Sequence, residues 1–304
     1  MAAKQLRWLL LIEALSYAGL GLWLVVRADW SPGQSLGLAA GLFVALRLIA
    51  VTVSFLFYRA FPSQAGPAGR LGWRRMLALY LGEVVWMILF FVVIQPFEWV
   101  WLGPDRLGRP PMGRLPLLLV HGFRCNRGIW FWLRGRLERA GWMVATVNLE
   151  PPGAGIDAYA PVIARRIEEV LAATGAVQVI VVAHSMGGLA ARAYLREYGN
   201  ARVAGLVTLG SPHRGSRLAA LAWGNDGRQM RVGNDWLRAL AAPGAVPLPP
   251  RCVSIHSGHD NQVMPRECAN LPGAENIEVG GVGHLGMMVS PPMLAALQRA
   301  LRAD

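Results

Sequence analysis

The spacing of apolar residues divides the chain into two parts. Three long apolar runs come first, at residues 6–26, 36–58 and 76–101. Each is close to or above the roughly 20 residues that a helix needs to cross about 30 Å of hydrocarbon. The pattern predicts a membrane domain of three transmembrane helices in residues 1–103, followed by a linker rich in Gly, Pro and Arg at residues 104–114.

Beyond the linker the pattern changes to short β-branched runs that alternate with amphipathic stretches. This alternation is typical of a parallel sheet flanked by helices, so residues 115–304 are predicted to form an α/β domain. Strands are predicted at residues 115–120, 143–149, 177–183, 203–209, 252–256 and 276–279. Helices are predicted at residues 129–140, 157–173, 189–198 and 293–301.

Composition supports a membrane-embedded part. Hydrophobic residues make up 54% of the chain and charged residues only 16%, whereas soluble domains carry about 25% charged residues. The net charge is +12, but the Arg residues are scattered and no nucleic-acid motif is present, so no nucleic-acid partner is expected. Attraction to anionic membrane lipids accounts for the positive charge.

The loops predict an orientation. Positive residues stay on the cytoplasmic side, and they occur at Lys4 and Arg7 before the first run. The second loop carries them at Arg59, Arg70, Arg74 and Arg75. Three crossings of the bacterial inner membrane then place the α/β domain in the periplasm. A cleaved signal peptide is the alternative for the first run, but no small-x-small cleavage site follows it, so a retained anchor is predicted.

Three ionisable residues, Glu13, Arg47 and Glu83, interrupt the apolar runs. Charges inside a membrane are unfavourable and usually paired, which predicts a contact between Arg47 and a carboxylate that holds the helices together. The alternative is that each side chain extends separately to a membrane surface.

A serine stands at a predicted strand-to-helix turn. The apolar strand at residues 177–183 leads into His184-Ser185-Met186-Gly187-Gly188, where a helix begins. Small residues on both sides are needed because strand and helix nearly touch at such a turn. Gly187 leaves the helix N-terminus uncrowded, so the Met186 N–H can face a forming negative charge. Ser185 is the predicted nucleophile and Met186 a predicted oxyanion donor.

A second oxyanion donor is expected after the first strand, in His121-Gly122-Phe123. Gly122 permits the backbone to turn so that the Phe123 N–H points at the site. His121 precedes Ser185 in the chain, whereas the order in this architecture is Ser, acid, His. We therefore interpret His121 as a structural residue that shapes the loop.

The order along the chain also selects the base and the acid. His284 lies in a Gly-rich loop after the last strand, and Asp260 follows the strand before it. The side chain of His184 should point away from that of Ser185, because neighbouring side chains diverge at such a turn. His213 lies on the loop after the fourth strand. Both are therefore predicted to lie near the site without acting as the base. Asp157, Asp226 and Asp235 are interpreted as surface or capping groups.

Neither a metal nor a cofactor is expected. The three cysteines form no CxxC pair, and no phosphate-binding Gly loop or cluster of ligands is present. Cys252 and Cys268 flank Asp260, and both a disulfide and two unpaired thiols are compatible with their spacing.

At residues 115–303 the sequence resembles bacterial α/β-hydrolase lipases and esterases of the triacylglycerol-lipase type. The segments that carry the resemblance are His121-Gly122-Phe123 with Asn126 and Trp130, Leu149-Glu150-Pro151, Asp157-Ala158-Tyr159-Ala160, His184 to Gly188, Gly210-Ser211-Pro212-His213-Arg214-Gly215, Asp260-Asn261 with Val263, and Gly283-His284. The resemblance implies an α/β-hydrolase fold and hydrolysis of lipid-like acyl esters through an acyl-serine intermediate, with the Phe123 and Met186 N–H groups as the oxyanion hole.

Some alternatives stay open at this point. A thioesterase or acyltransferase would use the same triad, and a catalytically silent, membrane-tethered binding protein would keep the fold alone.

The insert at residues 217–250, with Trp223, Met230 and Trp236 among Arg residues, fits either an amphipathic lid over an acyl pocket or an ordinary packed helix pair.

Overall fold

Helices form the N-terminal third of the chain, and a six-stranded sheet forms the centre of the rest. The computed structural model describes residues 1–63, 69 and 71–302; Arg70 and Ala303, to which the sequence predictions extend, lie outside the described residues. The helices are α1 (Ala2–Arg27), α2 (Pro32–Ala60), α3 (Trp73–Ile88), α4 (Glu98–Leu102), α5 (Phe131–Arg139), α6 (Ala160–Thr174), α7 (Met186–Tyr198), α8 (Gly224–Gln229), α9 (Asp235–Ala241) and α10 (Pro291–Arg302). The strands are β1 (Leu117–Val120), β2 (Val144–Val147), β3 (Val179–His184), β4 (Val203–Leu209), β5 (Arg251–Ser257) and β6 (Glu275–Val279).

The first two helices form an antiparallel hairpin. Ser31 and Gln34 begin α2 with a reciprocal capping box, in which each side chain accepts the other residue's backbone N–H. Between the helices, Arg47 pairs with Glu13 through both guanidinium nitrogens, and the Nη2–Oε2 distance is 2.6 Å. The two groups form the bidentate geometry that is strongest for a guanidinium and a carboxylate. The predicted partner of Arg47 is therefore Glu13, and Glu83 lies elsewhere.

The third apolar run is not a regular helix along its length. After α3 it continues as a π-helical segment, Leu89–Ile94, and a 3₁₀ turn, Gln95–Phe97, before α4. Phe90 and Ile94 are buried in the same core as Leu117 and Leu119 of β1. The second half of this run therefore packs on the C-terminal domain.

Among the described residues, three helical stretches are long and apolar enough to cross a membrane, by length and composition. They are α1, α2 and the continuous run Trp73–Leu102. The most apolar window of α1 has no buried residue, while about a fifth of the third window is buried, at 22%. Lipid therefore suits the most apolar window of α1, whereas the third run has protein on part of its surface.

The predicted linker contains a buried ionic centre. Asp105 accepts the Thr146 backbone N–H at 2.7 Å and pairs with Arg134 at 3.1 Å and Arg166 at 2.7 Å. A carboxylate that is 5% exposed needs such partners to offset its loss of hydration. The segment is thus tied to β2, α5 and α6, which holds the third run against the domain.

All six strands are parallel, in the order β2-β1-β3-β4-β5-β6. The four inner strands are almost continuously buried, as expected for a parallel sheet covered by helices on both faces. Each predicted strand is present, and α5, α6, α7 and α10 are the four predicted helices. The predicted fold class is confirmed. Parallel strands bring their carboxyl ends to one edge, where ligands bind in such sheets.

The insert at residues 217–250 combines packed and exposed parts. In α9, Leu237 and Leu240 are buried, and the Trp236 indole donates to Asp157 at 2.7 Å. Trp223, just before α8, is 81% exposed. In the first half, Asp226 and Met230 are also buried, and Asp226 accepts the Gly153 N–H at 3.1 Å. The insert is therefore packed on the domain through both halves, with Trp223 exposed at its surface.

The three cysteines are buried free thiols. Burial raises the pKa of Cys252 to about 12 and of Cys268 to about 11. Of the two alternatives for this pair, the structure has the unpaired thiols, which stay protonated at neutral pH.

The ends of the hairpin contact the C-terminal domain. The Ala2 N–H donates to the Glu150 carboxylate at 3.3 Å, and the Tyr58 hydroxyl donates to the Gly258 carbonyl at 3.2 Å. The sequence-based topology places these helix ends and the domain on opposite sides of about 30 Å of hydrocarbon. The first residues of α1 and the last of α2 both lie against the domain, at the same end of the hairpin.

Candidate active site

Ser185 is the single residue between a strand and a helix. Strand β3 ends at His184 and helix α7 begins at Met186. The Ser185 backbone has φ 54° and ψ −128°, a conformation that non-glycine residues rarely adopt and that persists only where the surroundings enforce it. The Ser185 N–H donates to the Leu209 carbonyl of β4 at 2.9 Å. The strained turn thus presents the hydroxyl at the carboxyl edge of the sheet.

Two glycines let neighbouring segments approach this turn. A Cβ on Gly187 would lie 2.5 Å from the Val120 carbonyl oxygen, and one on Gly122 would lie 2.8 Å from the Ser185 Cβ. Both distances are shorter than any real contact of that kind, so only glycine fits at either position. The loop after β1 and the start of α7 can therefore both touch Ser185.

The two predicted oxyanion donors flank the serine. Met186 is the first residue of α7, so its N–H has no acceptor within the helix and points along the positive end of the helix dipole. Phe123 follows Gly122 and lines, together with Ser185, a cavity of about 250 Å³. The loop after β1 and the start of α7 thus both border the position of Ser185.

Asp260 and His284 form a buried hydrogen-bonded pair. His284 Nδ1 lies 2.9 Å from Asp260 Oδ2 and 3.1 Å from Oδ1, and both side chains are at most 3% exposed. Burial lowers the pKa of His284, but the charge and hydrogen bond of Asp260, with the charge of Glu83, outweigh it and hold the pKa above its ordinary value. The pair has the geometry of a base that is oriented by an acid.

The loop of Asp260 is fixed by its own backbone. Asp260 Oδ1 accepts the N–H groups of Gln262 at 2.7 Å and Val263 at 2.9 Å. Asn261 accepts the His284 backbone N–H at 3.0 Å, which joins the acid loop to the base loop. These hydrogen bonds hold the Asp260 carboxylate in place beside His284.

Ser185 and His284 are close neighbours without being hydrogen-bonded to each other in the described part of the chain. The His284 ring lies 4.7 Å from the ring of His184, the residue directly before Ser185. Proton transfer needs the serine oxygen and the imidazole nitrogen within about 3 Å, and such contacts often tighten only when substrate binds.

His121 has a structural position, as its place in the chain predicts. Its Nε2 accepts the Leu149 N–H at 2.9 Å, and its Nδ1 lies 3.0 Å from the Gly122 carbonyl oxygen. Burial lowers its pKa to about 4. A neutral imidazole therefore ties the loop after β1 to the end of β2.

His184 and His213 are also buried. Burial, with the nearby charge of His284, holds the pKa of His184 well below its ordinary value, and burial does the same for His213. His213 hydrogen-bonds Thr208 in β4 at 2.9 Å. Both stay neutral at physiological pH and pack beneath the site. Among the described residues, no group of three His, Cys, Asp or Glu side chains could hold a metal ion.

Sequence reasoning missed one contact of the site. Glu83, in α3, is 2% exposed, and its carboxylate accepts the N–H groups of Leu285 and Gly286, next to His284. The only signal in the sequence was an unexplained carboxylate in an apolar helix, which favoured a pairing with Arg47. The true partners are backbone groups, and no residue pattern indicates those.

A family model described as the α/β hydrolase fold matches residues 116–236. Triacylglycerol lipases from Pseudarthrobacter phenanthrenivorans and Burkholderia plantarii are each 36% identical to the chain over 119 residues, or 35% of this chain. The matched part makes up 35% and 32% of those proteins. The chain therefore spans about a third of the length of the curated relatives it matches.

Solved structures of similar fold include a Bacillus licheniformis lipase in its mature form and Aspergillus fumigatus lipase B. The first has a TM-score of 0.58 at 18% identity and covers 65% of this chain and 96% of its own. The second has a TM-score of 0.59 at 22% identity and covers 66% of this chain and 55% of its own. At such identities the likeness concerns the fold. The chain therefore has an α/β-hydrolase fold, and the matched part of it is similar to bacterial triacylglycerol lipases.

Proposed function

We propose that the chain is a membrane-held serine hydrolase of lipid-like acyl esters. One observation carries the proposal: Ser185 occupies a strained strand-to-helix turn at the same sheet edge as the buried Asp260–His284 pair. A serine hydroxyl is a weak nucleophile unless a base removes its proton, and this pair is a base with its orienting acid.

The reaction proceeds through an acyl-serine intermediate. His284 takes the proton of Ser185 as the oxygen attacks the acyl carbon, and the Phe123 and Met186 N–H groups donate to the resulting oxyanion. His284 then gives the proton to the leaving alkoxide, which departs as the alcohol. Water, deprotonated by His284, releases the acid and restores the serine.

The cavity at Ser185 supports an acyl chain as the bound group. It shares Phe123, Leu221 and Ala222 with a second, apolar cavity of about 400 Å³. One side of the second cavity is the first turns of α1, at Ala2, Gln5, Leu6 and Leu9. These positions are spaced three and four residues apart, so they lie on one face of the helix. The two cavities together form an apolar groove that leads from the serine to a helix suited to lipid.

The insert supports the same assignment. Leu221 and Ala222 border both cavities, and Trp223 borders the larger one and is largely exposed. The first half of the insert thus covers the groove in the manner of a lid, while α9 packs on the domain.

Replacing Ser185 with Ala is expected to abolish labelling by a fluorophosphonate probe and to lower kcat for p-nitrophenyl esters by roughly four to six orders of magnitude. The reason is that the probe and the ester both react with the Ser185 hydroxyl, which the proposal makes the nucleophile. The matched control is Ser211→Ala, a buried serine beneath the same turn, which should still label. Persistent labelling of Ser185→Ala would refute the assignment.

The pH dependence follows from the raised pKa of His284. As the base it must be neutral, so kcat/KM should fall on acidification through an apparent pKa above the ordinary imidazole value of about 6.5. Asp260→Asn removes the charge that raises this pKa, so its acidic limb should shift to lower pH while kcat drops by roughly 10⁴-fold. An acidic limb that stays in place in Asp260→Asn would show that another group titrates.

The groove predicts a preference for longer acyl chains. Each buried methylene contributes about 0.8 kcal/mol, or roughly fourfold in kcat/KM at most. Leu6→Trp, which fills the groove, should lower kcat/KM about tenfold or more for p-nitrophenyl laurate and leave p-nitrophenyl acetate unchanged. Leu11→Trp, at an exposed position of α1 outside the groove, is the control. Equal losses on both esters in Leu6→Trp would argue against an acyl groove there.

We further propose that the C-terminal domain faces the cytoplasm. The contacts of Ala2 and Tyr58 with the domain favour one common side for the helix ends and the domain. Lys4, Arg7 and Arg59 lie at those helix ends, and positive residues of this kind stay in the cytoplasm. On this topology α1 and α2 cross the membrane, and the third run lies against the domain.

Fusions to the C-terminus test this side in a bacterial host. Green fluorescent protein should fluoresce there, and alkaline phosphatase should be inactive, because the first folds in the cytoplasm and the second needs periplasmic disulfides. Phosphatase fusions at Ala28, between α1 and α2, serve as the matched control and should be active. An active phosphatase at the C-terminus would instead support three full crossings.

A further inference from the structure

The loop that carries His284 is hydrogen-bonded to the carboxyl group of Glu83 in α3. Glu83 accepts the Gly286 N–H at 2.8 Å through Oε1 and the Leu285 N–H at 3.1 Å through Oε2. Both donors follow His284 directly in the chain. Hydrogen bonds to a carboxylate are shorter and about twice as strong as those between neutral groups. One side chain therefore holds two successive peptide groups of the base loop.

Gly283, on the other side of His284, is shaped to the same carboxylate. A Cβ at Gly283 would lie 2.4 Å from Glu83 Oε1. Its backbone is outside the left-handed region, unlike that of Gly281 at φ 74°, so conformational freedom does not explain this glycine. The absence of a side chain at Gly283 lets the loop close onto Glu83.

Helix α2 holds the acid loop in a similar way. Asn261, directly after Asp260, donates to the Ser54 hydroxyl at 2.8 Å and accepts the His284 N–H at 3.0 Å. The Tyr58 hydroxyl donates to the Gly258 carbonyl two residues before Asp260. Both loops are thus joined to each other and to helices that precede the domain.

A plain packing role does not explain the choice of a carboxylate. A buried charge in an apolar helix is unfavourable, and an apolar side chain would join α3 to the domain without that penalty. Leu285 and Gly286 begin a short 3₁₀ turn, Gly286–Val289, so their N–H groups have no acceptor within it. A carboxylate can accept both of these buried N–H groups at once.

We propose that Glu83 is a positioning residue for His284: its carboxylate fixes the base loop so that the imidazole stays aligned between Asp260 and Ser185. The proposal rests on the proposed ester hydrolase function. It makes the N-terminal helices part of the frame of the active site, in addition to any role in membrane attachment.

The test uses the full chain, purified in detergent, with p-nitrophenyl acetate as substrate. Glu83→Ala should lower kcat by roughly 10- to 100-fold, since a misplacement of about 1 Å has effects of this size. Glu83→Gln, which keeps an acceptor oxygen for one N–H, should lie between Glu83→Ala and the wild type. KM should stay within about twofold in both, and fluorophosphonate labelling should slow in parallel with kcat.

Glu13→Gln is the matched control, because Glu13 is also a carboxylate in an apolar helix but pairs with Arg47 instead. It should leave kcat within about twofold of the wild type. A Glu83→Ala protein that is folded, by an unchanged elution profile and thermal transition, and that keeps wild-type kcat would overturn the proposal.

A double-mutant cycle with Gly283 isolates the contact and covers the case in which Glu83→Ala does not fold. Gly283→Ala should lower kcat in the wild type, because the new Cβ displaces the loop from Glu83, and should do so much less in the Glu83→Gln or Glu83→Ala background. If the fold-loss in kcat of the double mutant equals the product of the fold-losses of the two single mutants, the two residues act independently and the proposal is overturned. A wild type that neither hydrolyses the ester nor labels would instead refute the ester hydrolase function itself.

Discussion

The backbone of Ser185 is the constraint on which the site depends. At φ 54° and ψ −128° it is unfavourable by roughly 1–3 kcal/mol, and such strain persists only where surrounding structure enforces it. The enforcement comes from β3 in the middle of the sheet, from the hydrogen bond to Leu209, and from contacts of the turn with Gly122 and Gly187. A sheet whose inner strands are almost continuously buried is what allows one residue to stay in this conformation.

The pKa values of the four histidines around the site depend on burial and on whether a carboxylate lies beside the ring. His121, His184 and His213 are buried without an adjacent carboxylate, and their pKa values are lowered. His284 is as deeply buried, but the carboxylates of Asp260 and Glu83 raise its pKa. A charged partner is thus what separates one histidine from three others in the same region.

The N-terminal helices and the domain are one packed unit. Asn261 and the loop of His284 contact Ser54 and Glu83, and Phe90 shares a core with β1. The third apolar run, predicted as a full membrane crossing, is partly covered by the domain. Apolar side chains are stabilised by removal from water, whether lipid or protein surrounds them, so hydropathy alone does not separate a membrane span from a helix that is half covered by a domain.

The sequence by itself determined the six strands and their parallel arrangement, and it singled out Ser185, Asp260 and His284 as candidate site residues, because strand periodicity and chain order are local or one-dimensional properties. Only the tertiary structure decided that Arg47 pairs with Glu13, that Glu83 binds the base loop and that Asp105 collects Arg134 and Arg166. Each of these contacts joins residues that are tens of positions or more apart. Some of the partners are backbone groups, and each charged side chain has several residues of opposite charge in the chain with which it could pair. Which partner it contacts depends on how the helices pack, and no pattern along the chain indicates it.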